Sequence, residues 1–452
     1  MTNPATESRR GLPLSGIWWA SFDWARSPFY YVVIIYVFTT YFAETVIGDS
    51  ARGQAIVSTT VTIGGLIMAL IAPLLGGYMD RGGAKKPVLF ILMLVLAISS
   101  AALVFVIPGA LYSVLLGMTL LVIAGCAYSV SELFHNALLP AAGNHRQIPL
   151  ISGLGLSMGS LAAVVVLLLV IHLVDAPPFG LETHDIARGS GLICAIWMLV
   201  FLIPFWLGMP DHFREGATWK GARRLPETWS PLRSTRQLFR DYPAIMRFLM
   251  ARMIFMDGLT ALFAIGAVYV AGTLGWTQGQ TALMGVVATV SAVAGGFLGG
   301  FLDRSFGPRN AILIELFSIT AIFCFQISIS QDALLFGLIS TPEVATGWEI
   351  MPRSIDVIYL ATVIPLSAFI IGAYSSCRSL LVFLSPPDKL GQFFGIYAMI
   401  STVTVWIGPG LVALVTFATH SQKLGFSSLV ILFLAGSLIM LGVRSPERST
   451  IS

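Results

Sequence analysis

GGYMDRGGAKKP (residues 76–87) and GGFLDRSFGPRN (residues 299–310) are one loop written twice. Each reads G-x-x-x-D-R, then a glycine, then cations, and each follows a long apolar run. The copies lie about half a chain apart, which divides the sequence into two related units. Other features recur with them. SFDWARSPF (21–29) and IFMDGLTALF (254–263) each carry an acid in the first half of an apolar run. NALLPAAG (136–143) and RSLLVFLSPP (378–387) each combine Leu-Leu with a following proline.

The runs around these segments identify the solvent. Of 452 residues, 56% are hydrophobic and only 11% charged, whereas a soluble domain is about one quarter charged. VLFILMLVLAISSAALVFVI (88–107) is a stretch of the length that a bilayer core of about 30 Å requires of a helix. The chain therefore reads as an all-α polytopic membrane protein with about twelve transmembrane helices in two six-helix bundles. The expected spans are 16–43, 54–77, 86–108, 110–139, 150–174, 189–209, 245–271, 281–302, 310–330, 355–384, 391–418 and 424–443. The apolar run 331–340 is expected to extend the ninth span or to follow it as a re-entrant piece. The polar, basic start MTNPATESRRGLPLSG carries no cleavage pattern, so the first span is expected to remain. Cys126, Cys194, Cys324 and Cys377 fall inside apolar runs without C-x-x-C spacing, which suggests neither a disulfide framework nor a metal site.

Loop charges set the orientation. One set of loops holds Arg9, Arg10, Arg81, Lys85, Lys86, Arg146, Arg304, Arg309, Lys389, Arg444 and Arg448; the other holds Arg52, Arg188, Arg353 and Lys423. The positive-inside rule places the first set, with both termini, in the cytoplasm. The expected organisation is a first bundle (1–210), a basic cytoplasmic linker (211–244) and a second bundle (245–452), in a plasma membrane of the bacterial inner-membrane type. The linker reads as a connector that helps set topology and can touch anionic lipid.

A duplicated six-helix unit is the plan of secondary transporters, with the solute site between the halves. The loop copies, Gly76, Asp80 and Arg81 and then Gly299, Asp303 and Arg304, are expected to act as conformational latches. Within the spans each charge costs about 2.5–3.5 kcal/mol at a helix centre and needs a partner or a wet cavity. Asp23, a candidate protonatable group, and Arg26, a candidate carboxylate contact, are expected on a substrate or proton pathway; lying close on one helix face, they can alternatively neutralise each other as a structural pair. Asp257 is the deepest acid and reads as a pathway residue; Glu132 and Arg378 fit a solute pathway or a gate equally. His135 is placed near the water interface as a satisfied polar residue, and Glu315 is expected to snorkel to the surface. Trp18, Trp19 and Trp276 are expected as interfacial anchors. Glycines 153, 155, 159, 295, 296, 299 and 300 mark tight helix contacts.

WASFDWARSPF, NALLPAAG with ISGLGLSMGSLA, FLMARMIFMDGLTALF and CRSLLVFLSPPDKLGQFFGIYAM with WIGPG resemble the vacuole-effluxer-like group of the major facilitator superfamily. In that group an asparagine stands at the position of Arg26, and a tyrosine is commoner than Arg252. The resemblance implies an alternating-access solute carrier; fungal members of the group export amino acids from the vacuole. The expectation is a secondary transporter, not an enzyme, moving a small polar metabolite such as an amino acid by proton symport. It would work as a monomer in contact with membrane lipid, with no cofactor, metal or nucleic acid. No G-x-x-x-x-G-K-[ST] motif is present to bind ATP. Two readings compete with it: an intramembrane hydrolase using Asp23 and Asp257, which would need Gly-x-Gly-Asp and a common depth, and a receptor or lipid-moving protein on the same scaffold.

Overall fold

The computed structural model of the chain describes residues 12–48, 56–57, 59–60, 63–68, 70–71, 75, 85–144, 146–175, 180–210, 237, 240–340, 347–348, 350–404 and 406–444. The first loop copy (Gly76, Asp80, Arg81) and most of the linker lie outside the described residues.

The described chain is almost wholly helical. The long helices are α1 (Leu14–Pro28), α2 (Lys86–Ala102), α3 (Ser113–Asn136), α4 (Ile148–Asp175) and α5 (Thr183–Phe201), and then α6 (Pro243–Leu274), α7 (Gln278–Phe306), α8 (Pro308–Ser328) and α9 (Ser354–Leu384). The last three are α10 (Leu390–Val403), α11 (Ile407–Thr419) and α12 (Leu429–Leu441). Among the described residues, eight helices are long and apolar enough to cross a membrane unaided, and the bent α6 makes a ninth. Of the three other expected spans, the second (54–77) lies largely outside the described residues, and the other two are broken. The first continues from α1 through wide π-helical turns at Phe29–Tyr36 and Phe42–Val46, and the eleventh divides into α10 and α11.

Pro28 accounts for the start of the first irregularity. It has no N–H, so the Trp24 carbonyl one turn earlier loses its donor. The Trp197 indole of α5 donates to that carbonyl at 3.0 Å. The apolar run 331–340 is neither an extension of α8 nor a re-entrant helix. It forms a minimal hairpin, Ala333–Leu334 against Ile339–Ser340, with Phe336 and Leu338 exposed.

The duplicated loop has a structural meaning in both bundles. Lys86 and Arg309 are each the tenth residue after the first glycine of their copy. The Lys86 ammonium donates to the carbonyls of Trp206 and Met209 at 2.9 and 2.7 Å. The Arg309 guanidinium donates to those of Val443 and Leu441 at 2.7 and 2.6 Å. Each cation thus satisfies orphan carbonyls where the last helix of its own bundle ends.

Three expectations are corrected. Glu315 does not snorkel; it is fully buried, and Ser376 Oγ donates to it at 3.2 Å. Its neighbour on α9 is Gly372, whose missing side chain leaves room for the carboxyl group. Trp19 is no interfacial anchor but is fully buried. Trp276 is buried too, donating from its indole to Asp356 at 2.7 Å. Asp356 is completely buried and also takes two bonds from Arg353, at 2.9 and 2.7 Å. Trp276→Phe is therefore expected to lower unfolding stability by about 1–3 kcal/mol by removing one donor from a buried carboxylate. Flux per folded molecule should not change; thermal unfolding alongside transport checks both.

Candidate functional site

Two helices of the first bundle and one of the second bring their charges to one point. α1 supplies Asp23 and Arg26, α3 supplies Glu132, His135 and Asn136, and α9 supplies Arg378. Arg26 lies 3.2 Å from Asp23 and 3.6 Å from Glu132. It also donates to the Tyr128 carbonyl at 3.1 Å, and its guanidinium lies 4.1 Å from the centre of the Tyr128 ring. Arg378 crosses from the other bundle to reach Asp23 at 3.4 Å and Asn136 at 3.5 Å.

The two arginines balance the two carboxylates. Buried charges persist when they are paired and hydrogen-bonded, so a neutral four-member network accounts for an acid and a base on one helix. His135 completes the floor. It is fully buried rather than near the interface, and stacks on Trp19 and Phe22 at centroid distances of 4.0 and 4.3 Å. Its Nε2 donates to the Trp19 carbonyl at 2.9 Å, and the Trp19 indole returns a bond to the His135 carbonyl at 3.0 Å. His135 is thus a bolt between α1 and α3, although only half satisfied: its Nδ1 is buried without a hydrogen bond, 3.9 Å from Asp23.

Sequence reasoning did not single out the tyrosines beside this network. Tyr30 stacks on Tyr128 at 5.5 Å and meets Tyr31 edge-on at 5.8 Å. Tyr374 of α9 and Tyr397 of α10 belong to the same neighbourhood. Tyr30 keeps 42% of its surface accessible although it sits within the protein, and the Glu132 side chain also keeps 42%. Both side chains are thus accessible beside the ion-pair network. Arg252 joins the tyrosines, its guanidinium 3.4 Å from the centre of the Tyr397 ring.

Asp257 stands apart from the four-member network. It accepts from Thr404 at 3.1 Å, where the break between α10 and α11 begins. Its other oxygen is buried without a hydrogen bond. A separate cavity of about 430 Å³, lined by Gly275, Thr277, Gln280, Ile350, Pro352, Arg353 and Asp356, contains none of these residues.

On the side of the network toward the basic loops the two bundles close against each other. Gly153 of α4 faces the Gly296 carbonyl of α7, and Gly300 faces Pro149. Ser157 donates to the Val293 carbonyl at 2.7 Å, and Ser152 to that of Ser375 at 3.2 Å. Small residues let the backbones approach this closely, as expected for the glycines of α4 and α7.

The sequence profile described as "Vacuole effluxer Atg22 like" matches residues 40–148 and 143–450. The chain belongs to this family. The Atg22-like chain is 23% identical to the MFS-type transporter YxiO of Bacillus subtilis over 96% of both chains. It is 22% identical to autophagy-related protein 22 of Yarrowia lipolytica over 86% of this chain and 76% of that one. Against autophagy-related protein 22-1 of Aspergillus niger the identity is 26%, over 67% of this chain and about half (48%) of the relative.

Solved structures agree on the fold. The major facilitator superfamily transporter FucP, in the outward conformation, superposes with a TM-score of 0.68 at 14% identity, over 96% of this chain and 99% of that one. The proton:xylose symporter XylE gives 0.64 at 14% identity, over 96% and 95%. The Atg22-like chain is thus a multi-pass membrane transporter of the major facilitator type, built as two six-helix bundles.

Proposed function

We propose that the protein is an alternating-access secondary carrier for a small zwitterionic metabolite, an amino acid being the leading class. It sits in a plasma membrane with both termini and the basic loops in the cytoplasm, and moves its solute by proton symport. The observation that carries this reading is the Arg378–Asp23 pair, which joins the bundles at 3.4 Å beside accessible Glu132 and the tyrosine cluster. A cross-bundle ion pair exists only while that side is closed, so it acts as a gate.

Next to the gate, Glu132 suits an ammonium group, while Arg26 and Arg252 suit a carboxylate, which an arginine can hold with two parallel bonds. Tyrosine rings and hydroxyls suit the remainder of a small polar molecule. The bias of lysine and arginine toward one set of loops supports the orientation. Asp257, with one oxygen lacking a hydrogen bond beside a helix break, is the candidate proton carrier.

Purified protein in proteoliposomes tests the reading with a panel of labelled amino acids, with and without a pH gradient. Gradient-driven uptake of at least one amino acid is expected. Asp257→Asn should abolish either the uptake or its dependence on the gradient. Unchanged uptake with an unchanged pH response would remove Asp257 from the coupling role. No flux of any amino acid, together with movement of fluorescent lipid analogues, would replace the carrier reading with a lipid-moving one.

A further inference from the structure

A second buried polar cluster lies inside the second bundle and takes no part in the gate. Asp303, near the end of α7, is 3% exposed, and Glu315 on α8 is fully buried. Both face α9, where Ser376 Oγ donates to Glu315 at 3.2 Å and Ser376 and Ser379 lie against Asp303. Three carboxyl oxygens are buried here without a hydrogen bond: both of Asp303 and Oε2 of Glu315. Among the described residues neither carboxyl has an ion-pair partner.

The cations of the surrounding elements are engaged elsewhere. Arg378 on α9 holds Asp23, and Arg252 on α6 stacks on Tyr397. Arg309 on α8 holds carbonyls at the end of α12, and Arg304 on α7 is exposed. On α4 the residues that meet α7, Gly153 and Ser157, carry no charge. The Cys377 thiol is the remaining titratable neighbour.

A buried acceptor without a donor is costly, and two carboxylates in one dry site cannot both stay ionised. The Ser376 hydroxyl donates to Glu315 and the Ser379 hydroxyl to the Ser375 carbonyl, so neither proton is left for Asp303. The missing donor is one O–H. We propose that Asp303, Glu315 and Ser376 form a proton-binding site, in which one proton taken from water joins the two carboxyl groups while the seam between α4 and α7 is closed. Gly372 makes the site possible, because a side chain there would displace the Glu315 carboxyl group. Gly299 and Gly372 hold α7 and α9 together beside it. The step is proton binding alone, and it depends on neither the solute nor the direction of transport.

Infrared difference spectroscopy of the full-length protein in lipid, stepped between mildly acidic and alkaline pH without solute, tests the site. Wild type is expected to show a neutral-carboxyl carbonyl band that shifts in D₂O and fades on the alkaline step. The Asp303→Asn/Glu315→Gln double variant should lose that contribution. Ser376→Ala, which keeps both acids, should move the band without removing it, and keeps the test available if the double variant does not fold. A wild-type spectrum identical to both variants overturns the proposal. So does stabilisation of wild type by sodium that is insensitive to pH, since a metal cation would then occupy the site.

Discussion

Arg378→Ala is expected to abolish net transport and to lower unfolding stability by about 3–5 kcal/mol, the usual result of stripping one partner from a buried ion pair. Asp23 keeps Arg26 at 3.2 Å, so the loss should fall toward the lower end of that range. The conformational effect is larger in consequence. Of the four charges in the network, Arg378 is the one contributed by the second bundle. Removing it leaves the first bundle with two acids and one base, and nothing to draw the bundles together at that point. Even about 3 kcal/mol taken from the closed state shifts the open-to-closed ratio more than a hundredfold. Arg378→Lys should recover part of the stability but little of the flux, because Nη1 alone reaches both Asp23 and Asn136, at 3.4 and 3.5 Å, and the shorter lysine side chain falls short of both. Flux in proteoliposomes and thermal unfolding read the two effects separately. Wild-type values for both in Arg378→Ala would remove the residue from the gate.

Gly296→Leu should trap the carrier with the same seam open. Overpacking a close contact costs about 1–3 kcal/mol when neighbours can shift. Here the neighbours are the backbone of Gly153 and the Ser157 side chain, and a helix backbone yields little. The substitution acts only on the closed state, so the protein should still fold and elute as wild type does. Ser152 is fully buried in the closed seam. A cysteine placed there, in a chain whose four native cysteines have been replaced, should react slowly with a maleimide and quickly once Gly296→Leu is added. Slow labelling combined with normal flux would show that the seam never opens.

Much of this architecture is legible in the sequence because membrane physics is strict. A span must be long and apolar, and a charge inside it must be answered. Asp23, Glu132 and Arg378 stand out for that reason, and the structure brings them together with Arg26. The repeated loop is legible as a repeat, but the capping task that Lys86 and Arg309 share at the same offset shows only in the structure. Misreadings arose where depth stood in for direction. Glu315 is few residues from its helix end, yet it points inward at a glycine on another helix, and no count along α8 reveals Gly372. Trp19 and Trp276 sit where anchors usually sit, but each turns its indole to a buried acceptor. The tyrosines passed unnoticed because tyrosine near a membrane is ordinary. Their signal was positional: Tyr30, Tyr128, Tyr374 and Tyr397 occupy expected spans 1, 4, 10 and 11, three of which carry the charges.

The seam between α4 and α7 has one more consequence. It is made where glycines and serines meet backbone, so parting it uncovers little hydrocarbon and frees few side-chain rotamers. Heat-capacity change scales with the apolar surface newly exposed to water. Opening this side should therefore carry a small heat-capacity change, and the balance between the two states should drift little between cold and warm surroundings. A seam of leucines would hold more tightly near room temperature and weaken on cooling. Small residues trade that strength for a gate whose poise is fixed by charge and hydrogen bonds across the temperatures at which the membrane itself stays fluid.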